Sequence, residues 1–324
     1  MLELSNKVEK IKQYINEIIN VIQSYNPNTI CTSPKKLKFV ADEMKDIILS
    51  NSEAEVNYMR DVADTEFYIA FQIPVFLKTS VEFEVETSSR ASITVTNSGT
   101  NIYDGGLKGT RRLAINVPNT KVNSEGWRPS NVIIRSNSNF TKFNLQNQED
   151  VIAVQGNLAG IENLDCAFMF NRNLRVANLK NIESKQINYT FAECNSLISF
   201  QADSLQCVEA VSAFEDCIKL RYVSMDFSTI ENCYKMFDGC TSLEKIDVPK
   251  GSKIPNKLDL TDTKIQTKEL ISLISNLKKL DEKQRIYISR DLLAKFSEVQ
   301  LQSFESKGYI LTIKTPVGDE GDYE

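Results

Sequence analysis

Cysteine is the residue type in this sequence whose spacing most suggests chemistry. Of the seven cysteines, Cys194, Cys217 and Cys240 stand at a constant 23-residue interval. Such a column would allow reactive thiolates or a ladder of metal-binding thiolates. The sequence contains no histidine and no CxxC pair to support either chemistry. We therefore predict that the thiols are buried and inert, each packing against its counterpart in the next repeat.

Carboxylates are the other candidates for catalysis. A glycosidase, such as a polysaccharide depolymerase, holds two of them in a cleft about 5–10 Å apart. Glu82, Glu84 and Glu86 alternate with apolar residues, which predicts one exposed strand face, and Asp259 and Asp262 fall in a predicted turn. The lack of histidine also removes the most common general base. The sequence thus predicts a protein that is not an enzyme and has no cofactor and no metal.

Length and charge limit the remaining classes of function. The chain has 324 residues, which predicts two or three domains. Its net charge of −5 gives no electrostatic case for nucleic acid. The start, MLELSNKV, lacks the apolar core of a signal peptide, and no stretch has the apolar length of a membrane span, so we expect neither export through a signal peptide nor membrane insertion.

The cysteine column belongs to a repeat unit, F-x-x-C-x-x-L-x-x-Φ-x-Φ, in which Φ is apolar. Five columns recur with the same 23-residue period: Phe168, Phe191, Phe214, Phe237; Asn171, Cys194, Cys217, Cys240; Leu174, Leu197, Leu220, Leu243; Ala177, Phe200, Val223, Ile246; and Leu179, Ala202, Met225, Val248. Each unit exposes an apolar edge that only a neighbouring unit can cover, so the pattern predicts a solenoid over residues 143–266.

The Φ-x-Φ segments predict short strands whose alternate residues point outwards. These outward residues are Val176, Asn178, Ser199, Gln201, Tyr222, Ser224, Lys245 and Asp247. Stacked strands place them side by side, and we interpret them as a ligand-binding face; the alternative is a merely solvated face. Tyr103 and Trp127 stand in loop-like segments and could stack on a sugar. The alternative for this pair is that they cover the end of a β-sheet core.

The N-terminal segment has a helical period. Apolar residues alternate at spacings of four and three, the seam of a coiled coil: Leu4, Val8, Ile11, Ile15, Ile18 and Ile22. Isoleucine at both seam positions favours a trimer. The alternative is an amphipathic helix packed on its own chain. A second apolar face runs from Leu37 to Leu49, so residues 1–50 are predicted as a helical hairpin that oligomerises and attaches the protein.

Residues 65–142 change to a period of two, with turn signals between the alternating segments, which is typical of a β-sandwich of jelly-roll type. Residues 267–324 predict helices near 267–280 and 297–307, strands near 285–289 and 309–314, and an acidic tail. The predicted fold class is therefore multidomain α+β. Its parts are the N-terminal helical hairpin or coiled coil, the sandwich, the repeat solenoid and an α/β cap.

The repeat unit resembles the BspA-like leucine-rich repeats, in which phrases such as Met236-Phe-Asp-Gly-Cys-Thr-Ser-Leu243 recur. The segment LDLTDTKIQTKELISLISNL, from Leu258, is similar to the closing element that follows such repeats. The C-terminal module is also similar to the ends of many proteins of phage virions and of gut or oral bacteria. The segment Lys36–Ile48 is similar to a short helix near the N-termini of phage tail and fibre proteins.

The resemblance implies a structural or adhesive component of a bacteriophage virion, namely a fibre or decoration protein of head or tail. The expected partners are further copies of the chain, favouring a trimer, other virion proteins such as capsid or tail, and a glycan or protein of the bacterial surface. The expected location is the virion, after synthesis in the host bacterial cytoplasm. The alternative is a BspA-like protein on the bacterial cell surface that binds host proteins or glycans.

Overall fold

The computed structural model describes residues 67–74, 80–97, 100–116 and 129–314. Within these ranges the strands are β1 Phe67–Pro74, β2 Ser80–Asn97, β3 Thr100–Asn116, β4 Pro129–Ser136, β5 Phe140–Asn144, β6 Ala153–Asn157, β7 Val176–Lys180, β8 Ser199–Ala202, β9 Tyr222–Ser224, β10 Lys245–Asp247, β11 Leu258–Asp259, β12 Gln284–Tyr287 and β13 Tyr309–Thr312. The helices are α1 Thr267–Asn276, α2 Arg290–Leu293 and α3 Glu298–Ser306.

Strands β6 to β10 are consecutive along the chain and parallel, and each pairs with the strand that follows it. Ala177 lies opposite Phe200, and Phe200 lies opposite Val223, so the pairing has the 23-residue interval of the sequence repeat. The alternation predicted for the Φ-x-Φ segments is confirmed as strands β7 to β10. The chain therefore advances by one strand spacing per repeat, about 4.8 Å.

The phenylalanine column forms a stack of rings inside these turns. The ring of Phe191 lies 5.0 Å from that of Phe168 and 5.6 Å from that of Phe214, at interplanar angles of 8° and 4°. Phe237 continues the stack at 5.5 Å from Phe214. All four side chains are buried. Each buried phenylalanine contributes on the order of 1.5–3 kcal/mol, so the column is a main source of stability.

Strands β2 and β3 form a long hairpin, and the two halves of β2 pair with different strands. The second half of β2 pairs with β4, which continues through β1 to β6. The first half pairs with β5, and the ring of Phe143 in β5 lies 5.8 Å from Phe168. A register shift between Thr87 and Ala91 separates the halves. The inner side chains of the hairpin thus share one apolar core with the repeats.

The predicted fold class, multidomain α+β, is wrong. In the described residues thirteen strands stand against three helices, and these helices all follow Gln266. The segments predicted as a jelly-roll sandwich belong instead to a ten-stranded sheet that also contains the repeat strands. The period-two pattern marks one buried face of each strand, and it does not reveal what covers that face. Here the inward side chains of β1, β2 and β4 belong to the same apolar cluster as those of the repeat turns.

The C-terminal module closes the repeat end of the sheet. Helix α1 packs against β10, with Leu270, Leu273 and Ile274 buried at the i, i+3, i+4 spacing of an amphipathic helix. Strands β11, β12 and β13 form a separate parallel sheet. A capping box of Ser297 and Gln300 begins α3. The helices and strands predicted for this region are confirmed to within a few residues of each end.

The predicted helical hairpin or coiled coil at residues 1–50 lies outside the described residues.

Candidate functional site

The outward side chains of β7 to β10 form two columns across the sheet. Strand pairing places Val176, Ser199, Tyr222 and Lys245 in one column. It places Asn178, Gln201, Ser224 and Asp247 in the other. We call these eight residues, together with Gln155 of β6, the strand face. All eight residues predicted as a binding face therefore lie on one surface, because parallel strands in register keep the same side outwards.

Exposure varies along the strand face. Seven side chains of the strand face are half-buried: Val176, Ser199, Gln201, Tyr222, Ser224, Lys245 and Asp247. Asn178, predicted to point outwards, is only 8% exposed. The face is therefore recessed at β7 and more open at β8 and β9.

Tyr222, Lys245 and Asp247 form a linked group at the α1 end of the strand face. The Tyr222 hydroxyl donates to Asp247 Oδ2 at 3.1 Å, and Lys245 Nζ donates to the same oxygen at 2.6 Å. Lys245 Nζ also lies 5.4 Å from the centroid of the Tyr222 ring, within the range of a cation–π interaction. One carboxylate thus fixes both side chains, and the charges of Lys245 and Asp247 compensate each other.

The environment of Tyr222 and Lys245 raises the pKa of both groups, which are protonated at neutral pH even at their ordinary pKa values. The hydrogen bond to Asp247 raises the pKa of Lys245 above its usual value. Burial raises the pKa of Tyr222, and the Asp247 charge adds to this effect. Neither group can therefore act as a general base near pH 7, where a catalytic base needs a pKa close to the working pH.

Three side-chain amides occupy neighbouring positions across the sheet. Gln155 pairs with Asn178, and Asn178 pairs with Gln201. None of the three side chains hydrogen-bonds to another group in the part of the chain that the structure describes. Gln155 is 7% exposed, and its Nε2 is buried without a partner. The amide column of Gln155, Asn178 and Gln201 therefore carries unused hydrogen-bonding capacity.

Gln155 was missing from the sequence-based site, although the signal for it was present. It precedes Asn178 by one full repeat period and belongs to the same column. The first repeat turn lacks the phenylalanine and cysteine of the later ones, which obscured the extension of the column.

The other predicted site residues are not brought to the strand face by any described contact. Tyr103 lies in β3 opposite Val95, and its side chain is outside the description. Trp127 lies outside the described residues altogether. The same holds for the predicted oligomerisation seam, Leu4, Val8, Ile11, Ile15, Ile18 and Ile22.

The cysteine column lies inside the turns and away from the strand face. The predicted burial of Cys194, Cys217 and Cys240 is confirmed, since each is 0% exposed. Each Sγ donates to a phenylalanine carbonyl of the preceding turn, at 3.2 Å for Cys194 and 3.1 Å for the other two. Burial raises the pKa of Cys194 to about 12. The thiols therefore serve as weak hydrogen-bond donors within the core.

The candidate carboxylates are engaged in surface contacts. Glu82 lies 3.5 Å from Arg112, Glu84 pairs with Lys142, and Glu86 accepts from the Thr110 hydroxyl at 2.9 Å. Elsewhere, Asp259 accepts from Lys314 Nζ at 3.1 Å, and this bond raises the pKa of Lys314. These contacts link Glu82 and Glu86 to β3, Glu84 to β5, and Asp259 to the residues that follow β13.

Two further observations apply to the described residues, 67–74, 80–97, 100–116 and 129–314. There, no three histidine, cysteine, aspartate or glutamate side chains are grouped to hold a metal ion. No helix in the same ranges is long and apolar enough to cross a membrane.

Comparison with known proteins finds no matching family model, no matching curated protein and no matching solved structure. The resemblance to BspA-like leucine-rich repeats and to phage virion proteins therefore remains a prediction from the sequence.

Proposed function

We propose that this chain is a non-enzymatic structural and adhesive component of a bacteriophage virion. It would be a fibre or decoration protein of head or tail, and its strand face would bind the bacterial cell surface. The observation that carries the adhesive part is the strand face itself. It presents polar groups on a rigid sheet, and three of its amides have no hydrogen-bond partner among the described residues.

The electrostatics of the strand face favour binding over catalysis. Its cation, Lys245, and its phenol, Tyr222, are protonated at neutral pH, and Asp247 accepts a hydrogen bond from each. Asp247, its only carboxylate, is itself bound by these two groups. A binding face needs fixed donors and acceptors but no group poised to exchange a proton.

The virion assignment rests on the resemblance of the repeat and of the C-terminal module to phage proteins. We propose that the chain is made in the cytoplasm of the host bacterium and assembles with itself and with capsid or tail proteins. Residues 1–50 would provide attachment to the particle. The continuous sheet would then act as a stiff support, since each repeat contacts its neighbours along an unbroken ladder.

Mass spectrometry of density-gradient-purified particles tests this proposal. We expect the chain to co-sediment with the major capsid protein, so that the ratio of their peptide signals is constant across the particle peak. A detergent-washed cell-envelope fraction from uninfected cells is the control. Absence of the chain from particles contradicts the proposal, and its presence in the uninfected envelope supports the alternative of a bacterial surface protein.

A further inference from the structure

We propose that the amide column of Gln155, Asn178 and Gln201, with the Tyr222 ring beside it, binds an uncharged glycan. This inference rests on the proposed function, because it assigns a ligand class to the same strand face. The surface glycan of a bacterium and a free oligosaccharide offer the same hydroxyl chemistry, so either source can be used as a probe.

The first step in the argument is the spacing of the amides. They lie on β6, β7 and β8 in direct register, so successive amides are separated by about one strand spacing, 4.8 Å. An extended sugar chain running across the strands would meet one amide for each sugar unit or so. A periodic ligand therefore fits this periodic surface.

The second step is the unused hydrogen-bonding capacity of the amides. A buried donor without a partner destabilises the folded state, and native proteins keep few of them. Gln155 Nε2 is such a donor, but it has almost no accessible surface and is not itself a ligand contact. The amides of Asn178 and Gln201 also make no described side-chain hydrogen bond, and they keep some exposure, 8% for Asn178 and a half-buried side chain for Gln201. A bound hydroxyl group would supply a partner to these two amides.

The third step is the balance of charge and polarity. Each amide both donates and accepts, which matches a hydroxyl group, whereas an anion requires donors only. Lys245, the one cation in the two columns, is already bound to Asp247. An extended peptide is usually recognised through main-chain hydrogen bonds at the edge of a sheet, and this surface is the face of one. The chemistry therefore favours an uncharged glycan over an anionic glycan or a peptide.

The fourth step is the aromatic ring. One neighbour of Tyr222 along its column is Lys245, whose Nζ lies 5.4 Å from the ring centroid. The other neighbour is Ser199, whose side chain is much smaller than that of Lys245. A sugar placed over Ser199 would contact the ring and reach the adjacent Gln201 amide. We therefore expect the first sugar to bind over Ser199, between the Tyr222 ring and the Gln201 amide.

Isothermal titration calorimetry of the full chain tests the inference. The neutral probes are maltohexaose, cellohexaose and mannohexaose; hexagalacturonate is the anionic probe, and an acetylated and amidated Ser-Gly repeat octapeptide is the peptide probe. The test variant, Gln201→Leu, removes one amide and keeps a similar volume at a half-buried position. The matched control, Gln206→Leu, changes an exposed glutamine outside the strand face. Thermal melts verify that both variants are folded.

We expect at least one neutral probe to bind, Gln201→Leu to weaken that binding roughly fivefold or more, and Gln206→Leu to leave it unchanged. Three results overturn the inference: no neutral probe binds, the two variants behave alike, or only the anionic or peptide probe binds. The mass spectrometry of purified particles tests the proposed function independently of this titration. If the chain is found in particles but binds no glycan, the virion assignment stands and the glycan inference is rejected. If the chain binds glycan but is absent from particles, the glycan site stands and the virion assignment is rejected.

Discussion

Replacing Phe214 by alanine removes the centre of the ring stack. Phe214 is 0% exposed and stacks on Phe191 at 5.6 Å and on Phe237 at 5.5 Å, while the edge of Phe200 approaches at 4.9 Å. Loss of a buried phenylalanine typically costs about 3–5 kcal/mol. Each aromatic pair adds roughly 0.5–1.5 kcal/mol beyond burial, which favours the upper part of that range. For a domain of this size we expect the melting temperature to fall by about 10 °C.

Thermal unfolding followed by far-ultraviolet circular dichroism measures this effect. Phe296→Ala is the matched control, because Phe296 is also buried but contacts the single ring of Phe304, at 5.7 Å in the C-terminal module. We expect Phe214→Ala to be the more damaging change. An unchanged melting temperature for Phe214→Ala, or a loss no larger than that of Phe296→Ala, would refute the proposed role of the stack.

Three further predictions concern thiols and one lysine. In the native protein at pH 8, iodoacetamide should label half-exposed Cys166 and spare buried Cys217, as read by peptide mass spectrometry; equal labelling would contradict the burial described. Burial raises the pKa of Cys217 well above 9, so the unfolded state loses this proton first. The contribution of Cys217 to the free energy of unfolding should therefore be constant well below pH 9 and be lost as the pH rises above it. Above pH 9 the free energy of unfolding should fall less steeply in Cys217→Ala than in the wild type, and equal slopes in urea titrations would argue against this linkage. Lys307 Nζ donates to the carbonyls of Ile274 and Ser275, near the end of α1, at 2.8 and 2.9 Å. Lys307→Met should therefore lower the free energy of unfolding, measured in urea, by about 1 kcal/mol. The control, Lys295→Met at an exposed position, should leave it unchanged.

The features that the sequence predicted well are those set by local periodicity. Strand positions in the repeats follow from the spacing of residues such as Ala177 and Phe200, because only an alternating segment can bury one side and expose the other. The helix at Thr267–Asn276 follows from its apolar face in the same way. The eight members of the strand face on β7 to β10 needed only the assumption that successive repeats lie in register, whereas Gln155 of β6 was missed.

The arrangement of the β2 and β3 hairpin could not be predicted in this way. Its alternation is the same whether a second sheet or the end of a solenoid covers the apolar side. The pairing of β2 with both β4 and β5 depends on partners that are distant in sequence, such as Asn144 opposite Glu84, and no local pattern specifies them. This non-local pairing is why the predicted sandwich was wrong.

The turn conformations were also beyond a sequence argument. Two columns of the repeat adopt positive φ, and their members include Tyr189 at 54°, Glu193 at 57° and Gly239 at 72°. Only Gly239 is a residue type that signals such a backbone. The others are held there by hydrogen bonds between turns, such as Tyr189 N–H to Val211 O at 2.9 Å. Tertiary contacts thus override the local preference of these residues.

Adsorption of purified particles in the presence of monovalent antibody fragments against the strand face is the most direct test of the account. Fragments that bind wild-type protein but not a strand-face variant, Gln201→Arg, provide the specific reagent, and fragments against exposed Val299 of α3 provide the control. We predict that the first set binds intact particles and lowers their adsorption to host cells, while the control set binds without this effect. Particles that bind neither set, or whose adsorption is unaffected when the strand face is covered, would contradict the central claim that this chain is an adhesive component of a virion.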